Sequence, residues 1–154
     1  MSLIIKQDRL QVQMLSIDSM VPSDHPIRVI DQFVEAGDDE KLGFVMKGQK
    51  TEGRPAYEIK SMIKLYMYGY INGIRSSRKL SKECNRNFEL WWLMQELRPK
   101  HVTIANFRKE NKSAFKELFR AFNIICMNAV LFGRKIVAID GSKFKAVNSK
   151  IEQL

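Results

Sequence analysis

The sequence predicts a mainly α-helical protein with a short C-terminal β segment. Three observations predict it. Apolar residues recur at helical spacing from Ile59 to Tyr70 and again from Phe115 to Ala129. Gly, Pro and Asn-Gly signals cut the chain into pieces of helical length. Only residues 135–147 show the pattern of a strand, with an apolar run from Ile136 to Ile139 and then Phe144 and Ala146 alternating with Lys143 and Lys145.

In chain order, residues 1–24 read as irregular or weakly extended. Pro22, Ser23 and Asp24 then set up a helix start, with Pro26 inside the first turn. Ile27, Ile30, Phe33 and Val34 share one face, and Gly37 ends the helix. "GDDEKLGFVMKGQKTEGRP", residues 37–55, carries four glycines and many charges, and reads as a linker and candidate boundary. Pro55 suits the first position of the next helix. Its apolar face is Ile59, Met62, Ile63, Tyr66, Met67 and Tyr70, and Asn72-Gly73 closes it. Ser76 or Ser77 caps a third helix, roughly residues 78–85. "FELWWLMQEL" is a short apolar helix. Tryptophans stack on bases in single-strand binders, but inside an apolar run Trp91 and Trp92 read as core anchors. Pro99 breaks the chain before a short helix that starts near residues 101–103. That helix points Ile104 and Phe107 inward and Thr103, Asn106, Arg108 and Lys109 outward. After Lys112-Ser113 a long helix runs to about Phe132, and Gly133 stops it. This divides the chain into an N-terminal segment with one helix and linker (1–50), a helical region (51–132) and a C-terminal β segment (133–154).

Composition narrows the function classes. The 154 residues are 45% hydrophobic, enough for a sizeable core. No apolar run approaches the roughly 18 residues that span a membrane, and Lys6, Asp8 and Arg9 interrupt the start, so no signal peptide is expected. Cys84 and Cys126 fit no metal spacing and read as reduced thiols of a cytoplasmic protein. The formal net charge of +9 is unevenly spread. Residues 1–40 hold three basic and eight acidic residues; the remainder holds 23 and nine, a net of +14. A segment that basic attracts a polyanion, with nucleic acid the first candidate, though a merely solvated basic surface has the same composition.

Two clusters carry chemistry suited to that partner. Two short helices, a Pro-containing turn and a third short helix follow the outline of a helix-turn-helix. Arg and Asn can read guanine and adenine, while Lys and Thr can hold phosphate, so Thr103, Asn106, Arg108 and Lys109 are the right residue types. His101 sits at the start of that helix, in reach of a phosphate. Upstream, "NGIRSSRKLSKECNR" crowds Arg75, Arg78, Lys79, Lys82 and Arg86 around a helix start, a composition suited to gripping a DNA backbone. Ordinary exposed helices carry such residues too. His25, in "PSDHPIR", reads as a capping or packing residue.

Asp140 stands alone. An Asp at the exit of a buried strand suits a two-metal site of phosphodiester chemistry; an Asp before a Gly is also a turn signal. Glu152 is the only acid after it, and the upstream acids show no ligand spacing, so no two-metal site can be assembled from this chain.

Taken together, "IDSMVPSDHPIRVIDQFVE", "GRPAYEIKSMIKLYMYGYINGIRSSRKLSKECNRN", "FELWWLM", "PKHVTIANFRKEN" and "VAIDGSKFKAVNSK" resemble the N-terminal part of a bacterial insertion-sequence transposase of the DDE class. The resemblance covers roughly residues 12 to 150, and "YGYINGIRSSRKL" and "IDGSK" are its most specific pieces. It implies a helical DNA-binding region with helix-turn-helix character, followed by the first β segment of an RNase H-like catalytic domain. It implies recognition of the element's terminal inverted repeats in double-stranded DNA by the region holding Thr103 to Lys109. It makes Asp140 the first of three acids that hold two Mg²⁺ ions for strand cleavage and transfer. The family's second Asp and its Glu, with the Tyr, Arg and Lys that accompany the Glu, have no counterpart here. The resemblance therefore predicts a truncated product, a gene fragment or an isolated N-terminal half. Such a chain is expected in the bacterial cytoplasm at the nucleoid, with no membrane partner and no independent cleavage. It could join a homo-oligomer or the full-length transposase, complete an active site with acids from a second chain, or be a decayed remnant.

Overall fold

The computed structural model describes residues 6–46 and 55–131. The described residues form a helical body with no strand, in line with the mainly α expectation. After a short 3-10 turn at Asp18–Met20 come α1 (Pro26–Ala36), α2 (Ile59–Ile71), α3 (Ser77–Arg86), α4 (Phe88–Leu93), α5 (His101–Glu110) and α6 (Lys112–Leu131). The β segment expected over residues 133–154, and Asp140 with it, lies outside the described residues.

The first helix follows its pattern. Ile27, Ile30, Phe33 and Val34 are all buried. His25 caps it: its Nδ1 accepts the Ile27 amide at 3.2 Å, and its Nε2 lies 3.3 Å from Glu89 Oε1 on α4. Pro26 takes the first helical position, where its missing N–H costs nothing.

α2 is the central helix and departs from its expectation in two ways. It begins at Ile59, with Glu58 as N-cap, rather than at Pro55. Residues 55–58 are outside the helix, and the Tyr57 hydroxyl reaches across to donate to the Arg98 carbonyl at 3.5 Å. A local preference yields there to a tertiary contact. Secondly, burial is not confined to one stripe, because residues 61–69 are buried without a break. Other helices cover this one on several sides: α1 and α4 pack against it, and α6 reaches it through Phe115 and Phe119. The all-round cover includes Lys64, whose Nζ lies 2.7 Å from Asp31 and 2.6 Å from Glu35 on α1. Tyr70, read as part of the inward face, is 48% exposed at the end of the helix.

Asn72 and Gly73 end α2 as expected, with Gly73 at φ +68°. The chain then folds tightly back. The Ile74 amide donates to the Gly69 carbonyl at 2.7 Å. A Cβ on Gly69 would stand 2.8 Å from the Ile74 carbonyl oxygen and 3.0 Å from Leu80 Cδ2, so only glycine lets α3 approach this closely.

α4 stops at Leu93, short of the full apolar stretch, because Gln95 and Glu96 turn into the left-handed region at φ 49° and 62°. Its core residues are Leu90, Leu93 and Met94. The tryptophans sit half-buried rather than central. Trp91 donates to the Cys84 carbonyl at 3.0 Å, and Trp92 to Asp18 Oδ1 at 2.8 Å. Arg28 lies over the Trp92 ring, 4.8 Å from its centre. An indole N–H needs a partner, which holds both rings at the edge of the core. Cys84 is buried, and burial pushes its thiol up to about 11, a structural rather than reactive group.

The glycine-rich stretch after α1 is not a free linker over its first half. Phe44 is buried, edge-on to Phe115 at 5.0 Å and stacked near Phe107 at 6.2 Å. Asn111, at the junction of α5 and α6, is 1% exposed and clamps Val45. Its Oδ1 accepts the Val45 amide at 2.7 Å and its Nδ2 donates to the Val45 carbonyl at 2.8 Å.

Candidate nucleic-acid interface

α3 forms because Ser76 caps it and Leu80 and Cys84 bury one face. The opposite face follows from helical spacing. Arg78, Lys82 and Arg86 recur at every fourth position, with Lys79 beside them. All four are exposed. The one acid of α3, Glu83, is ion-paired to Arg86, and that contact holds its carboxyl below the ordinary range. The remaining cations present an almost uniformly positive surface.

The start of α3 is less open to an anion than its sequence suggests. Ser76 Oγ already accepts the Lys79 amide at 3.4 Å. Ser77 hydrogen-bonds the Tyr66 hydroxyl, which in turn donates to the Ile104 carbonyl of α5 at 2.7 Å. These bonds spend two hydroxyls on fixing α2, α3 and α5 to one another.

α5 packs alongside α3, and Ser81 of α3 donates to the Pro99 carbonyl just ahead of α5 at 2.9 Å. Ile104 and Phe107 are buried, as their spacing predicts. Outward stand His101, Val102, Ala105, Asn106, Arg108 and Lys109, while Thr103 is half-buried. These residues do not share one direction. At about 100° per residue, Asn106 and Arg108 lie at opposite rims of the exposed face, with Val102, Ala105 and Lys109 between them. Arg108 bends away toward the turn after α2, where its guanidinium donates to the Arg75 carbonyl at 3.1 Å. The structure thus brings Arg78, Lys79, Lys82 and Arg86 together on one face. Asn106 and Lys109 lie on the neighbouring helix, and Arg75 and Arg108 form a separate pair.

That pair opens onto a groove of about 540 Å³ between the end of α2 and the start of α6. Among the described residues its cations are Arg75, Arg108, Lys112 and Lys116, and no acid lines it. Its aromatic wall includes Tyr70 and Phe119, stacked at 4.2 Å with 15° between the rings. Reading α6 for its core stripe alone passes over this groove. The available signal is "KSAFKELF", where Lys112 and Lys116 repeat at the same i, i+4 spacing as Phe115 and Phe119.

Among the described residues no group of three His, Cys, Asp or Glu could hold a metal ion, and no helix is long and apolar enough to cross a membrane. The described residues thus form a helical body with a basic face on α3. The chain belongs to the transposase domain family (DUF772), whose family model matches residues 15–110, from just before the first 3-10 turn to the end of α5. No curated protein and no solved structure matches the chain.

Proposed function

We propose that this chain is the DNA-recognising part of a bacterial DDE-class transposase and that it binds the terminal inverted repeats of its element as duplex DNA. The observation that carries this reading is the pairing of α3 and α5 inside the matched transposase region. One helix offers a face of four cations, and the helix packed on it exposes Val102, Asn106 and Lys109. In the reading, α5 enters the major groove in the manner of a helix-turn-helix. Asn106 contacts a base edge and Val102 offers an apolar contact to a thymine methyl. Lys79, Lys82 and Arg78 of α3 take the flanking phosphates, with His101 and Thr103 adding contacts at the start of α5. Asp140 is the first acid of the family's RNase H-like site; with its partner acids it would hold Mg²⁺, which supplies the nucleophile activation and charge neutralisation of strand transfer.

Selection of duplexes from a random pool at physiological salt tests this. The wild type is expected to enrich one motif. Asn106→Ala should relax one position of that motif, at a cost of about 1–3 kcal/mol in discrimination. Lys82→Ala should weaken all duplexes alike and lower the salt slope by about 1. Binding without enrichment, unchanged in Asn106→Ala, would refute a reading role for α5.

A further inference from the structure

We propose that the groove between α2 and α6 is a second nucleic-acid site, which takes an unpaired nucleotide of a DNA strand, its base on the Tyr70–Phe119 stack and its phosphates among Arg75, Arg108, Lys112 and Lys116. The proposal rests on the transposase reading for its choice of polymer, but on different residues for its site. Among the described residues, four cations and no acid line this concavity, a lining that selects a polyanion. Among the described residues, none of the four is ion-paired, so their charge is not already committed to a protein carboxylate. The Arg108 bond to the Arg75 carbonyl holds one guanidinium at the mouth and leaves its other N–H donors for phosphate.

The aromatic wall decides between paired and unpaired DNA. Phe119 covers one side of the Tyr70 ring, yet Tyr70 remains 48% exposed. The Tyr70 hydroxyl is held by Asn123 Nδ2 at 3.3 Å, which fixes the ring as a platform. An exposed aromatic beside cations is the pairing used by single-strand binders, because every base has a face to stack and every nucleotide a phosphate to neutralise. A base inside a duplex has both faces stacked and cannot use it. The volume of about 540 Å³ lies within the range of small-ligand sites and is too small for a double helix.

The test is fluorescence anisotropy with a labelled oligothymidylate of about six nucleotides, beside a labelled duplex carrying the selected motif. The wild type is expected to bind both. Tyr70→Ala should weaken the single strand by about tenfold or more, from loss of one stacked base, while duplex affinity stays within about twofold. Tyr70→Phe should retain single-strand binding. Lys112→Glu, an exposed change that spares the packing, should weaken the single strand as well. Two results would overturn the proposal: equal binding of the oligothymidylate and a base-free phosphodiester chain of the same length, or single-strand affinity unchanged in both Tyr70→Ala and Lys112→Glu. Duplex binding with no single-strand binding would overturn this site and leave the duplex-reading role standing. Failure of both ligands would overturn both.

Discussion

Asn111 shows how much one side chain can decide. It is almost fully buried and uses both ends of its amide, accepting from the Val45 amide and donating to the carbonyls of Val45 and Phe107. A buried polar group is tolerable only when paired, and this one pairs a loop backbone that has no strand or helix to satisfy it. Asn111→Ala should lower stability by about 2–3 kcal/mol. It should appear as a lower urea midpoint with little change in the slope of the transition. His25 works on the same scale. In the sequence it is a plausible cap beside a proline; in the structure the ring also faces Glu89 across the α1–α4 contact. Arg108 makes the opposite point. Its residue type suits base reading, but its position on α5 sends it to the Arg75 carbonyl, and so to the groove rather than to the centre of the exposed face.

At the scale of elements, Gly69 sets how closely α3 can approach the end of α2. α3 must lie close to the end of α2 for Tyr66 to reach both Ser77 and Ile104, and the absent Cβ at Gly69 permits that approach. Alanine is the better helix former by about 1 kcal/mol, yet Gly69→Ala should destabilise the protein by about 1–3 kcal/mol through overpacking against the Ile74 carbonyl and Leu80. Thermal melts of the variant and the wild type would show the sign. A raised melting temperature would mean that the turn yields easily and that α3 is not held at a fixed distance. Because α3 carries the cationic face, the same variant should weaken duplex binding more than its stability loss alone explains.

For the whole molecule, charge organisation sets the pH range of stability. The acidic first helix and the basic remainder meet at Lys64. The Lys64 hydrogen bond holds the Glu35 carboxyl below its ordinary value of 4.5. That contribution is present above 4.5 and is lost as the pH falls through the depressed value. Burial works against the Lys64 charge, but the bonds to Asp31 and Glu35 outweigh it and raise the amine above 10.5. Its contribution is present below 10.5 and is lost as the pH rises through the raised value. Tyr68 is pushed up to about 12, first by burial and then by the Glu89 charge. The unfolded phenol ionises near 10.0, so Tyr68 removes stability between 10 and 12. The melting temperature is expected to be flat between about pH 5 and pH 10 and to fall on both sides. Melts across that range, repeated with Tyr68→Phe, would show the alkaline fall shift if Tyr68 is its source.

Periodicity and punctuation by themselves determined that the protein is mainly helical and where most helices lie. They also determined the buried faces of α1 and α5 and the cationic character of α3. These are local properties: a face repeats every 3.6 residues, and a proline, an Asn-Gly or a Ser cap marks an end within a few residues. The sequence also carried the transposase resemblance, which the family match bears out. Only the tertiary structure decided that α2 is covered on several sides, that Phe44 and Val45 dock onto the α5–α6 junction, and that Trp91 and Trp92 stay at the edge. It alone tied Arg108 to the Arg75 carbonyl and joined both to Lys112 and Lys116 around one aromatic groove. Those outcomes depend on which elements meet. A stripe on one helix does not say what covers its other side, and side chains far apart in sequence become neighbours only when the whole core has packed.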